Sequence, residues 1–203
     1  MKFVLFTEGL TEKKAIREFL KRWLDSKTAQ PVGLEIVKFE GWPELIKDSP
    51  KKAKMHLKSG DVLAVIALLD LYGLDIYPQA KQTPSERYSW AKSHLERNVG
   101  DPRFLQFFAV HEVEAWLLSD PAIFPPEVRR ALGQKTKRPE EVNFDEPPAK
   151  LLDRIYFSKT GHAYKKVTQG QSLFKKLDPS VAYDKCPYLR ALLDKMLEIA
   201  NNA

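Results

Sequence analysis

Cysteine is nearly missing from this chain of 203 residues, in which Cys186 stands alone. A single thiol excludes an intrachain disulfide framework and every cysteine-based zinc cluster, and it agrees with a reducing cytoplasm, the expected location. Long apolar runs are missing too. The longest, Val62 to Leu69, has 8 residues, far short of the roughly 20 that cross a bilayer, so no membrane partner is expected. The chain also lacks a Gly-rich loop with its lysine, which argues against ATP hydrolysis by this protein itself. Repeats and low-complexity tracts are absent. Lys2 leads directly into Phe3-Val4-Leu5-Phe6, with Glu8 close behind, so the expectation is of no signal peptide.

What is there suffices for a sizeable core. The chain is 43% apolar and 30% charged, with 14 Pro and 9 Gly, and a chain of this size buries roughly 70% of its extended surface on folding. Its charge is unevenly placed. Basic residues number 33 against 27 acidic, giving +6, yet residues 1–120 carry 18 and 17 whereas 121–203 carry 15 and 10. A basic rear portion favours a polyanionic partner, because Lys and Arg release counterions condensed on a phosphate backbone. Plain solubility would account for the same excess.

Periodicity predicts alternating strands and helices. Phe3 to Thr7 reads as a strand, followed after a Gly turn by a helix from Thr11 with Ala15, Ile16, Phe19, Leu20 and Trp23 on one face. Leu34 to Phe39 is a second strand. Gly41 and Pro43 then open a polar helix that runs to Lys58, with a break at Ser49-Pro50. The run from Val62 to Leu69, ended by Asp70, is apolar at every position, as a central parallel strand buried on both faces should be. Pro84 starts a helix to Asn98 that Gly100 closes, Phe104 to Val110 is another strand, and Val113 to Leu118 another helix. Beyond Asp120, prolines punctuate short helices at Glu127–Leu132, Ala149–Tyr156, Gln171–Leu177 and Tyr188–Ala200. The reading is an α/β domain over residues 1–120, a mostly parallel sheet with crossover helices, and a C-terminal helical extension or small subdomain over 121–203 packed on it.

Acidic residues stand just beyond the strands: Glu8, Asp70 and the group His111, Glu112 and Glu114. Strand carboxyl ends share one edge of such a sheet, where ligands bind. Carboxylates gathered there repel one another and lose hydration, so they need a cation, and hard oxygen ligands suit Mg²⁺ or Mn²⁺. Glu8 can instead bond the start of the next helix, and Glu12 can either support the site or compensate that helix's dipole. His111 and Glu114, three apart, share a face if the helix begins early, with Glu112 pointing elsewhere; His111 then orients water or shuttles a proton. Lys159, His162, Lys165 and Lys166 lie among aromatics and hydroxyls, a composition that suits phosphate contact as well as a solvated surface. Cys186 lacks a partner base and reads as structural.

Glu8-Gly9 after the first strand and Asp70-Leu71-Tyr72-Gly73 after the apolar one resemble the acidic motifs of the toprim superfamily, with Tyr72 where its second Asp stands. Three segments are similar to an uncharacterised bacterial toprim-like family, domain of unknown function 4276. They are Glu8-Gly9-Leu10-Thr11-Glu12, His111-Glu112-Val113-Glu114-Ala115-Trp116 and Cys186-Pro187-Tyr188-Leu189-Arg190. The resemblance implies a toprim-like sheet and a Mg²⁺- or Mn²⁺-dependent nuclease. Glu8, Asp70 and Glu114 would be its metal ligands and His111 its proton carrier, with Glu12, Tyr72, Asp75 and Glu112 in support. DNA or RNA is then the expected partner, with a separate ATPase subunit in a mobile-element defence setting and self-association as further expectations. The alternative is a non-catalytic nucleic-acid-binding or effector subunit working with that ATPase.

Overall fold

Phe3, Val4, Leu5 and Phe6 are all fully buried, and alternation sends Phe3 and Leu5 to one layer and Val4 and Phe6 to the other. That two-sided burial sets the architecture. The computed structural model describes residues 1–8, 11–142 and 146–203, with only the backbone of 11–13. Its first half runs β1 (Lys2–Glu8), α1 (Thr11–Lys27), β2 (Gly33–Phe39), α2 (Trp42–Leu57), β3 (Val62–Asp70), α3 (Pro84–Val99) and β4 (Phe104–Ala109). The strands pair in parallel in the order β2-β1-β3-β4. The register sets Glu8 beside Phe39, Thr7 beside Leu68 and Asp70 beside Ala109, so the strand ends share one edge. The expected α/β fold, parallel with crossover helices, is the one found.

Local signals explain the helices. Thr83 accepts the Glu86 N–H while the Glu86 carboxylate accepts the Thr83 N–H, a reciprocal cap on α3. At its other end Gly100 takes a left-handed φ of 69° and donates to the Glu96 carbonyl. The expected break at Ser49-Pro50 does not occur, and α2 continues through Pro50. Pro50 has no N–H for the Ile46 carbonyl, but the Ser49 hydroxyl sits on that turn, donating to Leu45 O at 2.6 Å with Ile46 O at 3.5 Å.

α2 and α3 cover one face of the sheet through Leu45, Ala53, Leu57, Ala91 and Leu95. The other face is shared by α1 and the rear of the chain. That rear comprises α4 (Glu114–Leu118), α5 (Pro126–Leu132), α6 (Pro148–Thr160), α7 (Gln171–Lys176), α8 (Pro179–Lys185) and α9 (Pro187–Asn201), with a π-type turn at Lys166–Gly170. Neither that turn nor α8 is predicted by periodicity. Trp116, Phe174, Leu192 and Met196 join Phe3, Leu5 and Ile66 in a single core. Arg22 of α1 fastens the extension by donating to the carbonyls of Phe174 (2.7 Å), Lys175 (3.1 Å) and Leu177 (2.9 Å), which ends α7. Among the described residues no helix is long and apolar enough to cross a membrane.

Candidate functional site

β2 lies on one side of β1 and β3 on the other, so the carboxyl ends of β1 and β3 flank the crevice where the connections diverge. Glu8 and Asp70 end these strands. Backbone N–H groups of Asp70 and of Trp42, at the start of α2, lie near the Glu8 carboxylate and favour its charged form; burial outweighs them and raises its pKa. Asp70 Oδ1 accepts the Val113 N–H at 3.1 Å, which ties β3 to the segment after β4. Tyr72 N–H donates to the His111 carbonyl at 2.9 Å, closing the same corner.

The positive charge at this edge comes from the chain itself. Lys166 Nζ lies 3.3 Å from Glu114 Oε1 and 3.5 Å from Glu112 Oε1, and it also acts on Glu8. Its turn is held by Gln169, whose side chain accepts the Lys165 N–H at 2.7 Å. At Gly170 a Cβ would come within 2.8 Å of the Tyr164 hydroxyl, so a side chain here would push that ring aside. Glu114 is 2% exposed. Burial raises its pKa and Glu112 adds to the rise, against the pull of Lys166. Its Oε2 has no hydrogen-bond partner among the described residues. Glu112 Oε2 accepts the Ala149 N–H at 2.9 Å in the first turn of α6, where a carboxylate meets the positive end of the helix.

Two expectations change here. Glu112 does not point elsewhere but meets Lys166 together with Glu114. His111 precedes α4, and its side chain lines a separate cavity next to α3. Burial, with a contribution from Arg87, brings the pKa of His111 down to about 4, so the ring is neutral at physiological pH. Lys166, expected to contact nucleic acid, is engaged with acids, whereas Lys159, His162 and Lys165 are exposed. Asp75 is exposed in the loop after β3, and the side chain of Glu12 lies outside the described residues. Lys150, which sequence reasoning passed over, stands 5.8 Å from the Tyr72 ring centre, its Nζ 3.5 Å from the hydroxyl.

The carboxylate oxygens, one of them an orphan at Glu114, suit a hard divalent cation in kind. In arrangement they differ, because among the described residues no group of three or more His, Cys, Asp or Glu is placed to hold a metal ion. The Lys166 ammonium pairs with two of them, Glu112 and Glu114.

A family model described as Domain of unknown function (DUF4276) matches residues 7–197. The chain belongs to this family. No match was found among curated proteins or solved structures. Within this DUF4276 chain, the Cys186–Arg190 segment opens α9. Cys186 is fully buried and burial pushes its thiol pKa up, which makes a thiolate nucleophile unfavourable. Beside it Glu140 accepts the N–H groups of Tyr188 and Leu189 at 2.8 and 3.1 Å. No spacing signal marked Glu140 in advance, since its partners are 48 and 49 residues away.

Proposed function

We propose that this DUF4276 protein is a toprim-like phosphodiester hydrolase, a nuclease working with Mg²⁺ or Mn²⁺ at the carboxyl edge of its sheet. The observation that carries the reading is the pairing of Glu112 and Glu114 with one ammonium, which also acts on Glu8, at the sheet edge where Asp70 ends β3. Glu8, Asp70 and Glu114 would supply the cation's oxygen ligands, which requires them to leave the arrangement described above, where no three acids among the described residues are placed to hold a metal ion. When bound, it supplies neutralisation of the phosphoryl oxygens and a more acidic attacking water. Glu8, with its raised pKa, is suited to hold a proton at this edge. Lys166 balances the acids in the absence of substrate, and its ammonium would turn toward a phosphate oxygen when substrate binds. His111, on the wall of the other cavity, has no part in this scheme.

A second reading is favoured by the lysine paired with Glu112 and Glu114 and by Tyr72 where a carboxylate would add a ligand: a non-catalytic nucleic-acid-binding or effector subunit partnering a separate ATPase. One assay separates the two. Purified protein is incubated with single-stranded DNA, duplex DNA and RNA, with Mg²⁺, Mn²⁺ or chelator. Cation-dependent cleavage that falls on the order of a hundredfold in Asp70→Ala is expected. Equal cleavage by wild type and variant would overturn the hydrolase, and salt-sensitive binding without cleavage selects the second reading.

A further inference from the structure

Beyond the end of β4 lies a cavity of about 1060 Å³, at the upper end of the size of ligand sites. It is an open cleft lined by the first turns of α3, by Val110 and His111, by the short turn at Pro139–Glu141 and by the start of α9. One wall is aromatic. The rings of Tyr88 and Tyr188 lie 4.7 Å apart at a 36° tilt, and Phe108 holds Tyr88 edge-on at 5.4 Å. Two polar side chains on its lining are almost wholly buried, His111 at 2% and Glu140 at 5% exposure. Each Glu140 oxygen takes one backbone N–H and keeps acceptor capacity for another donor. Arg138 and Lys185 also line the cavity; the Arg138 side chain is 76% exposed and pairs with Glu141 at 3.3 Å, and Lys185 Nζ donates to the Ser119 carbonyl at 2.6 Å, each cation keeping further N–H donors.

We propose that this cavity binds an unstacked nucleobase, stacked on the tyrosine wall, with its nucleotide phosphate toward Arg138 and Lys185. Base–aromatic stacking needs a flat apolar surface. The base's N–H edge needs buried acceptors of the kind Glu140 and His111 provide. A wholly apolar ligand would leave the spare lone pairs of Glu140 without a donor once water is displaced. A guanidinium or ammonium on the mouth then matches the phosphate. A free nucleotide and the exposed base of a single strand present the same ring and phosphate. The proposal does not rest on cleavage at the acidic edge.

Calorimetric titration of the full chain, without divalent cations, tests it. The probes are the four ribonucleoside monophosphates, ribose 5-phosphate and a short single strand containing all four bases. At least one nucleotide, or the strand, should bind about tenfold or more tightly than ribose 5-phosphate. Ser89→Trp, which fills the cavity from an exposed position on α3, and Tyr188→Leu should each weaken that binding by about tenfold or more. Ser89→Trp keeps the test valid if the tyrosine variant fails to fold. A mononucleotide bound as tightly as the strand identifies the free ligand; a strand bound much more tightly, and lost in the same variants, identifies a base presented by nucleic acid. No binding at millimolar concentration, ribose 5-phosphate binding as well as the nucleotides, or binding unaffected by a folded Ser89→Trp protein would each overturn it.

Discussion

Trp116→Ala is expected to lower the free energy of unfolding by about 3–5 kcal/mol. The indole is 1% exposed, stacked on Phe19 at 5.9 Å and edge-on to Phe174 at 6.4 Å, while Phe19 and Phe174 meet at 6.0 Å. These rings bring together α1, α4 and α7, so they join the layer behind the sheet to the extension. Truncating the largest of them opens a void whose walls are fixed from three helices, and such walls collapse poorly. Urea unfolding measures the loss, and a smaller denaturant slope would show the extension separating before the sheet. Trp90, half-buried and stacked on His94 at 4.7 Å, is the comparison, and its truncation should cost less than half as much. A loss below about 1 kcal/mol for Trp116→Ala would mean that the ring cluster is not the joint.

His111→Asn and Glu140→Gln are expected to tilt the dependence of stability on pH in opposite directions. His111 has a folded pKa of about 4 against an ordinary 6.5. Between these values the unfolded chain binds the extra proton, so this group makes stability rise with pH, by up to about 3 kcal/mol over the window. Glu140 has a folded pKa of about 7 against 4.5, chiefly from burial. There the folded chain holds the proton. Its contribution is full below about 4.5 and is lost as pH rises through 7, by a similar amount. In the wild-type protein the two slopes oppose each other. Relative to wild type, His111→Asn should lose stability more steeply from pH 4 to 6.5, and Glu140→Gln should gain across pH 4.5 to 7. The raised pKa values of Glu8 and Glu114 act in the falling sense and are common to all three proteins. Chemical denaturation at four pH values between 4.5 and 7.5 gives the comparison. Parallel curves would rule out the opposed pair.

The sheet was legible because its signals are local. Eight consecutive apolar residues admit little besides a strand covered on both faces, and Val62 to Leu69 is that strand. Pro84, Gly100 and the Ala91–Leu95 face likewise mark α3 without reference to distant chain. Pro50 misled because proline's cost to a helix was visible, whereas the serine that sits on the same turn acts only once the helix exists. The acids at the strand ends were legible as a set, but not their neutralisation. Lys166 stands 52 residues from Glu114 in a turn with no periodicity, and its glycine is explained only by a tyrosine ring that folding brings close. The three-residue spacing of His111 and Glu114 carried no information about a shared face, because α4 opens at Glu114 itself. The cavity beside α3 was hidden for the same reason, its walls coming from parts of the chain 100 residues apart, such as Tyr88 and Tyr188.

The shared core that runs from Phe3 to Met196 has a consequence for synthesis. While the ribosome is still translating α7, the sheet can already pair its strands, yet the side bearing Ile66 and Leu68 has only α1 and the first rear helices against it. Full resistance of the nascent polypeptide to protease should therefore arrive only after α9 has cleared the exit tunnel. Until then chaperones have an apolar surface to hold.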